Sequence, residues 1–325
     1  MTSLFRQAMD LGLSSFRVNL AHSLYSRYYP GRDEDDLFWL LIHVAEQAGN
    51  GHIRTSLSRI TEEAAQWTAA DEHRLPARLQ ERALSLVQSA MKKGLIAQLG
   101  EENARADEIT PPRPPLLLTA DAGHIYFLRR RREEDDFLAM LGERCQSGSV
   151  IAPMENRSPA ETLCAQLKAG KRLFLLTGGP GTGKTATIAQ LLNQRPSSLR
   201  AVLTAPTGRA ASRMTESIPG YSGRTLHGLL GIAPNRPPKY SRNHPLKADL
   251  VIVDEASMVD LPLMNSLLRA LAPHTALLLV GDPEQLPSVE AGALLGDLLH
   301  GARQAARSAK GGPLSESVIH LTKVY

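Results

Sequence analysis

Gly178-Gly179-Pro180-Gly181-Thr182-Gly183-Lys184-Thr185 carries the most specific chemistry in the chain. Four glycines within six positions let the backbone curl tightly enough for its N–H groups to surround phosphate oxygens. Lys184 then offers an ammonium to the β- and γ-phosphates of a nucleotide, and Thr185 a hydroxyl to Mg²⁺. Asp254-Glu255 is a second chemical pair: the first carboxylate suits the metal ion, and the second can orient and deprotonate a water beside the γ-phosphorus. Gln285, held between Pro283 and Pro287, presents an amide that can sense a terminal phosphate. Thr207 and Arg209 suit a nucleic-acid backbone, read without base contacts. His227, after Thr225 and Leu226, can add a contact or serve as a hydrogen-bonded structural histidine.

Such groups act together only if elements bring them to one edge. Residues 173–177, Leu-Phe-Leu-Leu-Thr, read as a buried strand running into the glycine loop, with helix over residues 186–194. Residues 200–205, 249–253 and 276–280 are further short apolar runs, each followed by a loop and a helical stretch. This alternation predicts an α/β domain over 151–325 with a parallel sheet covered on both faces, and catalytic groups at the carboxyl ends of its strands. Residues 318–322 read as one more strand. Residues 234–245, rich in Pro, Asn, Arg and Lys, form either a small strand-separating insertion or a loop.

Upstream, residues 1–110 read as a helical domain. Asp33 to Asp36 open a helix whose residues 37–42 are apolar on most faces and which ends near residues 49–51. Residues 57–67 and 75–93 suggest two more helices, the latter closed by Gly94, and Trp39 and Trp67 read as core. Pro111-Pro112-Arg113-Pro114-Pro115 then opens a connector over 111–150, with a β-hairpin from residues 116–119 and 124–128. Arg129 to Arg132 followed by Glu133 to Asp136 reads as a solvated helix start with local pairing, a nucleic-acid role for the arginines being the alternative.

The 325 residues suffice for two domains, and 42% hydrophobic with 22% charged residues is ordinary for a soluble globular chain. A net charge of +4 leaves room for a polyanionic partner. Cys145 and Cys164 are too few for a disulfide framework or a zinc site, which points to a reducing, cytoplasmic setting. No secretory signal is read in residues 1–24, and the longest apolar run, residues 37–45, is far short of a membrane span.

TGGPGTGKT, TAPTGRAA, TLHGLL, DEASMVDL and GDPEQLPSV, in this order, resemble motifs I, Ia, Ib, II and III of superfamily 1 helicases. The wording DEASMVDLPLM and GDPEQLPSVEAG is similar to the RecD subunits, or α chains, of exodeoxyribonuclease V, with the resemblance strongest over residues 173–292. The resemblance implies a RecA-like P-loop NTPase domain and an ATP-dependent 5′ to 3′ DNA helicase that works with RecB and RecC in double-strand break repair and recombination. The helical N-terminal domain would dock on RecC. By the same resemblance Gly178, Gly179, Pro180, Gly181, Thr182, Gly183, Lys184 and Thr185 bind ATP, Thr185 and Asp254 hold Mg²⁺, and Lys184, Glu255 and Gln285 serve catalysis. Thr207, Arg209 and His227 would bind DNA.

Two departures stand out. Where the family places an adenine-reading glutamine ahead of the loop strand, this chain has Glu161, with Gln166 as a nearby substitute. The sequence also stops at Tyr325, before motif IV and the arginines of a second motor domain. Such arginines contribute on the order of 10³ to 10⁵ in turnover, so the expectation for this stretch is nucleotide binding with poor hydrolysis and no translocation. A stand-alone or conjugative RecD-like helicase and a non-catalytic interaction subunit are the alternative readings.

Overall fold

The structure is a computed structural model that describes residues 8, 13–29, 35–49, 54–63, 75–98, 115–119, 123–148, 157–233, 236, 238–282, 294–307 and 312–322. The chain divides into two units, Met1–Arg132 and Glu133–Tyr325.

The first unit is built around a helix that has almost no solvent face. Helices α1 (Ser15–Tyr28) and α2 (Asp35–Gly49) pack together, followed by β1 (Arg54–Ser56), α3 (Ile60–Glu63), α4 (Leu75–Lys92), β2 (Ile96–Gln98), β3 (Leu116–Leu118) and β4 (His124–Phe127). Leu37 to Ile42 of α2 are all buried, as their unbroken apolar run requires. Asp36 in its first turn is also buried and receives Arg78 at 2.7 Å together with Arg82, both from α4. Two guanidinium groups on one carboxylate fix the α2–α4 register and offset the cost of burying the charge. α4 ends where expected: Gly94 adopts φ +76°, and its N–H and that of Leu95 return to the carbonyls of Met91 and Ala90.

The division differs from the expected one at residue 110. The hairpin β3–β4 is no separate connector, because β4 also pairs with β1 (Thr55 opposite Ile125) and β3 with β2 (Ala97 beside Leu117), giving a four-stranded sheet in the order β1-β4-β3-β2. Three-residue strands such as β1 and β2 show too little alternation to be read from sequence; their partners create them. Of the helix expected over 57–67, Ile60–Glu63 is helical, and residues 64–74 lie outside the described set.

The second unit opens within α5 (Leu128–Cys145), the helix that carries both charge blocks. Its pairing reaches further than the sequence suggests: Asp136 pairs with Arg269, and the Glu133 carbonyl accepts from Asn265 Nδ2 at 2.7 Å. There follow α6 (Pro159–Lys168), β5 (Leu173–Thr177), α7 (Lys184–Gln194), β6 (Ala201–Ala205), α8 (Gly208–Ser217), β7 (Gly223–Thr225), α9 (Leu226–Leu230), β8 (Leu250–Val253), α10 (Leu261–Ala270), β9 (Ala276–Gly281), α11 (Leu294–Arg307) and β10 (Val318–His320). The six strands form one parallel sheet in the order β10-β5-β9-β8-β6-β7.

β5, β8 and β9 are buried along their whole length. Phe174, Leu176, Ile252 and Leu278 pack with Leu163 of α6, Ile188 of α7 and Met214 of α8, while Leu175, Val251 and Leu279, one residue out of phase, are buried on the opposite face. That double burial explains runs without alternation, and the α/β reading holds. β7, at the sheet edge, was not expected; it is ordered by pairing with β6 and by Thr204 Oγ1, which donates to the Arg224 carbonyl at 2.9 Å. At residues 233–245, of which 234, 235 and 237 lie outside the described set, there are two isolated bridges, Ala233 to Arg236 and Ser241 to His244, and no further sheet among the described residues. No helix among the described residues is long and apolar enough to cross a membrane.

His43 provides a test of the first unit. Burial lowers its pKa from 6.5 to about 4, so the unfolded chain binds the proton more readily between those values. This contribution to stability is fully present above pH 6.5 and falls, by up to about 3 kcal/mol, as the pH drops towards 4. Urea unfolding followed by tryptophan fluorescence reports this unit alone, because Trp39 and Trp67 are the two tryptophans. His43→Leu is expected to flatten the dependence of the midpoint over that pH range.

Candidate functional site

The glycine loop begins where β5 leaves the sheet. A Cβ at Gly178 would lie 2.5 Å from Thr182 Oγ1 and 2.8 Å from the Leu321 carbonyl, so glycine alone fits there. Leu321 stands this close because its N–H bonds the Thr177 carbonyl at 2.7 Å, continuing the pairing of β10 with β5. Gly181 and Gly183 adopt φ +73° and +83°, a region that L side chains enter only at a cost. Thr182 Oγ1 closes the loop by donating to the Gly179 carbonyl at 2.9 Å. Lys184 Nζ lies back over the loop and donates to the carbonyls of Gly178 at 2.6 Å and Gly179 at 2.9 Å.

Gly183 is the N-cap of α7 and supplies no capping side chain. The N–H groups of the first turn are therefore left for an external acceptor at the positive end of the helix dipole.

β8 brings the carboxylates to the same place. The Asp254 N–H bonds the Thr204 carbonyl at 2.9 Å, prolonging the β6–β8 ladder by one residue. Glu255 then turns into the left-handed region at φ 53°, the single described non-glycine residue to do so, and its N–H donates to Asp254 Oδ1 at 2.9 Å. A strained residue of this kind costs about 1–3 kcal/mol and persists where its surroundings over-determine it. Here the 3-10 turn Ala256–Met258 follows at once, with the Met258 N–H on the Glu255 carbonyl. Both carboxylates thereby reach one cleft.

That cleft has a volume of about 420 Å³, within the range of small-ligand pockets. Pro180 to Ala186, Asp254, Glu255, and Gly281 with Asp282 at the end of β9 line it, together with Ala210, Arg213, Met214 and Ser217 of α8. Burial pushes the Asp254 carboxyl above its ordinary range, opposed by the Glu255 N–H and by the charges of Lys184 and Arg213. Burial, and then the Asp254 charge, push Glu255 the same way. A group whose ionised form is held back by desolvation is a stronger proton acceptor than a free carboxylate.

Of the site residues read from sequence, Pro180 to Thr185, Asp254 and Glu255 thus converge, with Gly178 and Gly179 turning their carbonyls to the Lys184 ammonium. Gln285 lies outside the described residues, three positions after Asp282. Thr207, Arg209 and His227 do not line the cleft. Thr207 is the N-cap of α8, its Oγ1 accepting from the Ala210 N–H at 3.2 Å, which leaves its hydroxyl proton free to donate. Arg209 is exposed in the first turn of α8, and His227 is exposed on α9, capped by Thr225. These three stand at the carboxyl ends of β6 and β7, on the sheet edge beyond β8.

Glu161 has a local task. Its carboxylate accepts from the Ser158 N–H at 2.7 Å while its own N–H donates to Ser158 Oγ at 3.2 Å, a reciprocal cap at the start of α6. Gln166 is buried on α6 and does not line the cleft. Sequence reasoning missed the α8 wall. Its signal was present in the spacing of Ala210, Arg213, Met214 and Ser217, one helical face counted from the Thr207 cap.

The chain is similar to several known proteins. The family model described as an AAA domain matches residues 162–291, from α6 past Gln285. The RecD subunit of the RecBCD enzyme from Mycolicibacterium smegmatis is 38% identical over 222 residues, covering 58% of this chain and 40% of the relative. Its counterpart in Haemophilus influenzae is 45% identical over 149 residues, covering 38% of this chain and 23% of that protein. RecD subunits are homologues of this chain. The ATP-dependent RecD2 DNA helicase of Deinococcus radiodurans is 48% identical over 127 residues, covering 38% and 17% respectively. The chain spans about two fifths or less of the length of these RecD-type relatives.

The geometry of the glycine loop can be tested by its glycines. Gly178→Ala is expected to lower thermal stability by about 1–3 kcal/mol through overpacking, whereas Gly179→Ala, whose Cβ would meet nothing within 4 Å, is expected to leave it unchanged. Calorimetry of the two variants beside the parent chain checks the pair.

Proposed function

We propose that this chain supplies the ATP-driven motor domain of a RecD-type 5′ to 3′ DNA helicase, acting with RecB and RecC in double-strand break repair and recombination in the cytoplasm. The observation that carries the reading is the convergence of the Gly178–Thr185 loop, Asp254 and Glu255 on one cleft, beside strand ends that bear Thr207, Arg209 and His227. The triphosphate takes the place at which the loop N–H groups and the first turn of α7 converge. Lys184 exchanges its two loop carbonyls for phosphate oxygens, a stronger charge-assisted pairing. Glu255 orients the attacking water and accepts its proton.

Mg²⁺ fits the residues present. Thr185 and Asp254 bring a hydroxyl and a carboxylate oxygen to the same cleft, and a hard ion of this size is commonly held by one or two carboxylates together with substrate phosphates. Thr185 and Asp254 would hold it, and when bound it neutralises charge on the β- and γ-oxygens. Gln285, three positions along the sequence from the Asp282 that lines the cleft, acts as the γ-phosphate sensor. Thr207 and Arg209 grip one DNA strand through its phosphates, joined by His227.

A second reading is a stand-alone helicase of the RecD2 type, favoured by the 48% identity to the Deinococcus radiodurans enzyme. Co-purification of RecB and RecC with the tagged chain supports the first reading; recovery of the chain by itself supports the second.

The nucleotide assignment is tested by Lys184→Ala and Glu255→Gln, with fluorescent ATP binding and single-turnover hydrolysis as readouts. Lys184→Ala is expected to lose hydrolysis by on the order of 10²-fold or more and to weaken binding. Glu255→Gln is expected to bind ATP like the parent while hydrolysis falls by on the order of 10²-fold. Parental turnover in both variants would remove the assignment.

A further inference from the structure

The cleft contains a second cation that the phosphate loop does not supply. Arg213 sits on α8 one turn beyond Arg209, and it lines the same wall as Lys184, Thr185, Asp254 and Glu255. The strand order fixes its side of the cleft. The glycine loop hangs from β5, the carboxylates from β8, and α8 follows β6, which pairs with β8 on the side away from β5. A triphosphate whose inner phosphates rest in the loop therefore points its terminal phosphate towards Asp254 and Glu255, and Arg213 meets it from beyond them.

The charge of the cleft asks for such a group. Asp254, Glu255 and Asp282 stand against Lys184 and Arg213, and an incoming triphosphate adds negative charge on the carboxylate side. Arg213 is exposed and forms no ion pair at contact distance among the described residues, so its guanidinium can turn to a ligand without breaking such a pair there. Its charge already acts on both Asp254 and Glu255 across the open cleft. A guanidinium offers paired N–H donors matched to two oxygens of one phosphate, which an ammonium cannot.

We infer that Arg213 is a binding residue for the terminal phosphate of the nucleotide, contributed from within this same domain by α8. The inference rests on the nucleotide reading of the cleft and adds to it a residue that tells a triphosphate from a diphosphate.

The test measures the affinities of fluorescent ATP and ADP analogues, with Mg²⁺, for the 325-residue chain and for Arg213→Gln, Arg213→Lys and Lys184→Ala. Arg213→Gln is expected to weaken the ATP analogue about ten-fold while changing the ADP analogue less than about two-fold, as loss of a charge-assisted hydrogen bond to one phosphate requires. Arg213→Lys, which keeps the charge and loses the fork, is expected to recover part of the ATP affinity. Equal weakening of both analogues, which a structural role for α8 would produce, overturns the inference. So does parental discrimination in Arg213→Gln. Lys184→Ala separates the layers: if it weakens binding while the Arg213 variants behave as parent, the Arg213 assignment alone fails. If Lys184→Ala binds both analogues as parent, the nucleotide reading and this inference fail together.

Discussion

The second unit depends on a backbone that reverses direction within six residues between a buried strand and a helix. Gly178 permits the reversal because any Cβ there would strike Thr182 and the Leu321 carbonyl, and Gly181 and Gly183 permit it because their φ angles are positive. The consequence is a ring of backbone dipoles. Its carbonyls hold the Lys184 ammonium at 2.6 and 2.9 Å, and its N–H groups, with the uncapped first turn of α7, are left for an anion. A side chain inside that curl would displace the backbone from the position that gives the loop its electrostatics.

The rest of the site follows from where the sheet places its strand ends. β5, β9 and β8 are adjacent and parallel, so the loop, Asp282 and the Asp254-Glu255 pair emerge at one edge, and β6 places α8 alongside. Double-sided burial of Leu173 to Thr177, Leu250 to Val253 and Ala276 to Gly281 holds these ends in register, since each buried leucine or valine side chain contributes roughly 1.5–3 kcal/mol to keeping its strand in place. Against such support the left-handed turn at Glu255 is affordable, and it brings the second carboxylate into the cleft beside the first. The first unit relies on a different device: a helix buried on nearly all faces, with one acidic residue, Asp36, registered by two arginines.

Much of this was legible in the order of residues. The glycine loop, the Asp254-Glu255 pair and the apolar runs that precede them are local patterns whose meaning depends on neighbours within about ten residues, and the α/β reading of the second unit followed from them. The hairpin β3–β4 and the closure of α4 at Gly94 were local in the same sense. By contrast β1, β2 and β7 are three residues long and owe their strand conformation to partners 20 to 72 residues away, as with Thr204 and Arg224 or Arg54 and Tyr126. Glu161 shows the converse: its apparent departure from an adenine-reading position is, in the fold, one half of a helix cap with Ser158.

By itself the sequence determined the local chemistry: which backbone could curl around phosphate, which carboxylates follow a strand, and where the helix before Gly94 closes. Each is a matter of φ, ψ and hydrogen bonds between residues close along the chain. Only the tertiary structure decided that α8 forms a wall of the cleft and brings Arg213 to it, that the end of β10 packs against Gly178, and that Thr207, Arg209 and His227 stand beyond the cleft on neighbouring strand ends. Strand order sets those relations, and strand order arises from packing two faces of a sheet at once, a requirement that no stretch of residues states alone.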